Sequence, residues 1–186
     1  MITKVGKQMM SVWALFPKVN NAQTAAPKFP NDPIKNVSNQ QRWLAVATGD
    51  CFSQGFNPIT ANNTNPGVHF GTGTNTPTEN DYYLQTPITS GLGAAITLTE
   101  MKINSQGKPY VRTVFSVTNS NSSASLTITE ICVVTASAYC CTSSSATSYT
   151  ANNVMFDRTL LDNPLVLAPL QTGTLEYIIT CDMSFT

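Results

Sequence analysis

The sequence predicts an all-β fold: an antiparallel β-sandwich or jelly-roll-like domain with a short N-terminal helix and an extended proline-rich arm. Three observations predict it. Apolar and polar residues alternate in segments such as "SLTITE", the period of a strand with one buried face. Turn clusters such as "NSQGKP" and "SNSSA" separate these segments at short intervals. Val, Ile, Thr and aromatic residues fill the segments, while Asn, Ser, Pro and Gly crowd the connections. About five to eight strands spaced in this way suit a sandwich or jelly roll. Residues 1–41 are read as helix and arm, and residues 42–186 as the sandwich.

In chain order, Val5, Met9, Val12 and Phe16 recur at helical spacing, and Pro17 ends the helix they predict. Residues 19–41 are rich in Asn and Pro, with Pro27, Pro30 and Pro33 at three-residue intervals, which predicts an extended arm or loop. "RWLAVATG" (42–49) reads as the first strand and residues 57–67 as a loop. "AAITLTEMKI" and "YVRTVFSVTN" flank a turn cluster and predict a hairpin, with Val111, Phe115 and Val117 on one face. "SLTITEICVVTA" starts by alternating and becomes continuously apolar after Ile131, as in a strand covered on both faces. A Ser/Thr loop is expected over 136–149, including Cys140 and Cys141. "VMFDRTLLDNPLVLAP" reads as two short strands around Asp162-Asn163-Pro164. The last strand, "GTLEYIITCDMSF", places Leu175, Tyr177, Ile179 and Cys181 on one face.

Charged residues make up only 11% of the chain and the formal net charge is zero, whereas 41% of residues are hydrophobic. Nucleic-acid binding draws on clustered Lys and Arg, so no nucleic-acid partner is expected. A surface near zero charge gains no solubility from self-repulsion, which favours a chain covered by neighbours. No apolar run is long enough to span a bilayer, and no membrane partner is expected. The five cysteines, Cys51, Cys132, Cys140, Cys141 and Cys181, have no metal-type spacing. Cys132 and Cys181 read as small buried hydrophobes.

The stretch with the strongest look of a motif is "FGTGTNTPTENDYYLQTPI", residues 70–88. It lacks the third glycine of a dinucleotide loop and the Lys-Ser/Thr of a phosphate loop. It is therefore read as a structured connection that pins a strand into the sheet. His69, just before it, has no nucleophile elbow to serve and reads as structural. Glu79 and Asp81 read as turn-capping acids, and Asp157 and Arg158 as ion-pair partners of residues elsewhere. Tyr82 and Tyr83, with Trp13 and Trp43, are read as core or interface anchors, with a sugar-stacking platform as the alternative. No catalytic, cofactor-binding or metal site is expected.

Three segments, "FGTGTNTPTENDYYLQTPI", "VRTVFSVTNSNSSASLTITEICVV" and "VMFDRTLLDNPLVLAPLQTGTLEYIIT", mark out a stretch covering residues 68–181. In this order the chain resembles small β-sandwich virion structural proteins of tailed bacteriophages. The resemblance implies a non-enzymatic virion component, a capsid decoration, head fibre, neck or tail part, made in the host cytoplasm. It also implies a homo-oligomer, such as a trimer, in contact with other virion proteins. Residues 1–67 follow the pattern less closely. The side chains expected to carry the contacts are Trp13, Phe16, Phe29, Trp43, Tyr82 and Tyr83. The alternative is a receptor-adhesion module that binds a host surface glycan.

Overall fold

A computed structural model describes residues 33–44, 57–60, 63–141 and 150–180, with the backbone alone at 43–44, 136–141 and 150–151. The predicted N-terminal helix, and with it Trp13, Phe16 and Phe29, lies outside the described residues. The described residues form nine strands and no helix. They are β1 (Ile34–Lys35), β2 (Gln41–Leu44), β3 (Pro58–Ile59), β4 (Gly67–Gly71), β5 (Leu92–Ile103), β6 (Pro109–Asn119), β7 (Leu126–Cys141), β8 (Thr150–Leu167) and β9 (Thr172–Thr180).

They form two sheets. In the larger, β7 pairs with β8 along one edge and with β4 and β2 along the other, β3 lies beyond β4, and β1 lies beyond β2. Its pairs are antiparallel except β3–β4. The smaller sheet is antiparallel in the order β5-β6-β9. One apolar cluster draws Val68, Phe70, Ile131 and Val133 from the larger sheet and Phe115, Val117, Leu175 and Tyr177 from the smaller. Phe70 and Phe115 meet edge to face with centroids 5.6 Å apart, a preferred aromatic geometry.

The predicted β5–β6 hairpin forms, closed through Asn104 and Gly107, whose φ of 76° requires the conformational freedom of glycine. Thr113, Phe115 and Val117 alternate inward as the period predicts. At the far end of β6 the buried Asn119 donates to the carbonyls of Ala124, Leu167 and Ala168, so one amide ties three chain segments together.

Four expectations are corrected. Residues 33–41 are not all arm, because β1 pairs with β2 through a turn organised by Asn36, and Ile34 is only 3% exposed. The 57–67 segment contributes β3, in parallel register with β4. β7 runs to Cys141, so Cys140 and Cys141 have strand backbones opposite Leu44 and Trp43 instead of belonging to a loop. β8 is one strand: Leu161–Pro164 form a bulge where the pairing steps from Ile128↔Leu165 to Glu130↔Leu160. Proline is tolerated there because β8 pairs only with β7 among the described strands, leaving an edge that needs no donor.

Candidate functional site

Residues directly opposite in an antiparallel pair share a face. His69 lies opposite Cys132, and Cys132 opposite Arg158, so the three stand in a row across β4, β7 and β8. This row is on the face turned away from the smaller sheet. A second apolar cluster covers it, in which Leu84 and Tyr83 from the connection after β4, together with Val37, pack on Cys132, Val134 and Met155. The continuous apolar run of β7 is thus covered on both faces, as its sequence predicts.

Glu130 sits on the same face, fully buried. Its Oε1 accepts the N–H groups of Gly73 (3.1 Å) and Thr86 (2.8 Å). Its Oε2 accepts Gln85 N–H (3.2 Å) and Arg158 Nε (2.7 Å). Arg158 also donates Nη1 to Asp81 Oδ2 (2.6 Å) and Nη2 to the Asn75 carbonyl (3.1 Å). Asp81 closes the arrangement by accepting the Thr78 N–H (2.9 Å) and hydroxyl (2.8 Å).

Every member of this network is anchored to the 70–88 stretch. Gly71 lies opposite Glu130, and a Cβ on either Gly71 or Gly73 would come within 2.5 Å of Glu130 Oε1. The two glycines let a buried carboxylate approach the backbone. The stretch is a structured connection, as its sequence predicts, and Asp81 does cap the backbone at Thr78. Burial acts to raise the Asp81 pKa, but the Thr78 and Arg158 hydrogen bonds outweigh it and hold the carboxyl below its usual value.

His69 is buried between two partners. Its Nε2 lies 2.7 Å from the Asn65 carbonyl, which can only accept, so Nε2 carries the proton. Nδ1 then accepts the Tyr83 hydroxyl at 3.0 Å. Burial lowers the His69 pKa, with the Asn65 hydrogen bond offsetting part of the effect. Burial pushes the Tyr83 phenol up, helped by Cys132, and pushes the Cys132 thiol well up. Both ring nitrogens are committed and the thiol is held protonated, the state of an inert cysteine.

On the opposite side of the larger sheet, Asp157 faces the core and accepts the hydroxyls of Tyr177 from the smaller sheet and of Thr159.

Open surface lies beside these groups. A groove of about 580 Å³ is lined by Ile34, Lys35, Gln41, Glu79, Asn80 and Asp81. Tyr82, next in sequence to Asp81, is half-buried, with Lys35 Nζ 5.2 Å from its ring centroid. Tyr83 is half-buried, its ring edge-on to His69. Trp43 lies in β2 opposite Cys141. Tyr82 and Tyr83 point to different partners, Lys35 and His69, and do not stand side by side as one platform; Trp13 and the Trp43 side chain lie outside the described residues. Among the described residues no group of three His, Cys, Asp or Glu is placed to hold a metal, and no helix is long and apolar enough to cross a membrane.

The smaller sheet carries the other notable surface. On its outer face Arg112 bonds Glu176 (2.7 Å) and Glu100 (3.1 Å), and Glu100 bonds Lys102 (2.7 Å). Ile96, Leu98, Met101 and Ile103 on β5, with Ile178 on β9, are large apolar side chains open to solvent.

Glu130 and the β5 edge are the features sequence reading missed. A lone charge inside "TITEICVV" was the available signal for the first. Comparison with protein-family models, with curated proteins and with solved structures finds no match in any of the three.

Proposed function

We propose that the two sheets stack as a β-sandwich and that the chain is a non-enzymatic structural subunit of a tailed-phage virion. In this reading it is a capsid decoration, head-fibre, neck or tail component that acts through contacts with its own copies and other virion proteins. The observation that carries the reading is the exposed apolar edge of the smaller sheet: among the described residues five of the seven exposed large hydrophobics lie on its outer strands β5 and β9, Ile96, Met101 and Ile103 on the face that continues the core and Leu98 and Ile178 on the other. Concentrated apolar surface on a chain of zero net charge favours association. The polar groups that a sequence search would nominate for chemistry, His69, Cys132, Glu130 and Arg158, are all engaged inside the fold.

The test is the mass of the purified chain in solution by light scattering, together with peptide mass spectrometry of particles released from cells that carry its gene. An oligomer found in particles supports the reading. A chain that is monomeric at every concentration and absent from particles overturns it.

The groove lined by Lys35 and Asn80 supports the second reading, a glycan-binding adhesion module, because Asn80, Asn39 and Gln41 offer the amide groups that sugars bind. Lys35 already covers one face of the Tyr82 ring. Binding on a glycan array, abolished by Gln41→Ala and Asn80→Ala, favours this reading over the first.

A further inference from the structure

We infer that the free edge of β5 joins a second copy of this chain, antiparallel, about a two-fold axis through Met101. The inference deepens the assembly reading above and rests on it.

Among the described strands β5 pairs only with β6. A bulge at Thr97 interrupts the early part, but from Leu98 to Ile103 the register with Val114–Pro109 is unbroken. Sheet edges in proteins that stay apart are guarded by proline, bulges, uncompensated charge or a covering element. "LTEMKI" has no proline or glycine, and its two charges cancel. It is also uncovered: Met101 is 80% exposed and Ile103 72%. Both lie on the face that continues the core, because Met101 is level with Val111 and Ile179. The hairpin therefore extends a row of core positions into solvent.

The charges identify the occupant. Two copies related by an axis perpendicular to the sheet place residues of the same face opposite each other, so the register can move only in steps that preserve the face. Centred on Met101, Glu100 of each copy faces Lys102 of the other. Thr99 then faces Ile103, and the flexible thioethers of Met101 meet at the axis. Centred on Glu100, carboxylate faces carboxylate; centred on Lys102, ammonium faces ammonium. Of the three neighbouring registers only the first is complementary. The product is a continuous six-stranded sheet in which the Glu176–Arg112–Glu100–Lys102 chain of ion pairs runs on into the second copy.

The test uses the full chain. E100K and K102E each place like charges across the axis, and each should weaken self-association at least about tenfold, as rim-charge repulsion does. Mixed one to one, the two variants are complementary at both contacts and should form a heterodimer seen by native mass spectrometry. Met101→Cys should crosslink under mild oxidation, because opposing Cα atoms in an antiparallel pair lie about 4.5–5.5 Å apart. Ser105→Cys, at the exposed hairpin tip, should not. Peptide mapping identifies the bond against the native cysteines; Met101, Lys102 and Ser105 are exposed and Glu100 is partly covered on the sheet surface, and circular dichroism matching the wild type shows that each variant keeps the fold. A wild-type oligomer that neither charge variant weakens and that Met101→Cys does not crosslink sinks the β5 contact and leaves the assembly reading intact. A trimeric mass built on a different surface does the same. A wild-type chain that is monomeric at every concentration sinks both.

Discussion

Arg158 Nε and Glu130 Oε2 lie 2.7 Å apart on adjacent strands, at a place where both side chains are out of water. Removing one partner of such a pair strands a buried charge, at a cost of about 3–5 kcal/mol. Arg158→Met should therefore lower unfolding free energy by that order, read from urea denaturation. Paired apolar replacement is often neutral for buried ion pairs. Here Glu130→Leu/Arg158→Met should not recover stability, because three backbone N–H groups also depend on Glu130.

Gly73→Ala tests the same junction from the backbone side. The new Cβ would lie 2.5 Å from Glu130 Oε1 and 2.7 Å from Gln85 Cβ. Overpacking of this kind costs about 1–3 kcal/mol. The denaturation midpoint should fall, and Gly107→Ala, with open space around it, should lose stability through its positive φ alone.

Tyr177→Phe removes the hydroxyl that links the smaller sheet to the buried Asp157. Hydrogen bonds to charged groups contribute about 1.5–3 kcal/mol, and a loss of that size is expected in chemical denaturation. Retention of wild-type stability would mean that the carboxylate does not need its inter-sheet donor.

Thr113→Val should act in the opposite direction. Thr113 Oγ1 is buried and, among the described residues, has no hydrogen-bond partner. Valine keeps the shape and removes an unpaired hydroxyl whose burial costs about 1–3 kcal/mol. The thermal midpoint should rise.

The pH dependence has a definite sign. Burial keeps the folded-state pKa of His69 below its ordinary 6.5, so the unfolded chain takes up the proton first as pH falls. This contribution is complete above pH 6.5 and is lost on acidification toward the depressed value. The slope is at most about 1.4 kcal/mol per pH unit for one proton. Asp81, also lowered, adds a loss in the same direction, but only as pH falls from its ordinary 3.8 through its folded value. Between pH 7.5 and 5.5 the urea midpoint of the wild type should therefore fall, while that of His69→Gln stays level.

The strands were legible wherever one physical signal governed them. The β5–β6 hairpin follows from alternation and a turn cluster, and the double-faced burial of β7 from its unbroken apolar run. β8 was misread because Asn163-Pro164 signals a break in isolation, whereas an edge strand absorbs it as a bulge. β1 was missed because Ile34 sits among prolines and asparagines, and two-residue strands have no period. The role of Glu130 has no local signature, since its donors are 28, 44, 45 and 57 residues away. The network becomes visible only when β4, β7 and β8 lie side by side.

Those separations also bear on kinetics. Until three distant stretches have met, the Glu130 carboxylate remains hydrated, so its gain is expected late in folding, once those long-range contacts have closed. Interactions formed that late govern how fast a protein opens more than how fast it closes. On that expectation the 70–88 stretch acts as a latch, and Arg158→Met should speed unfolding more than it slows refolding.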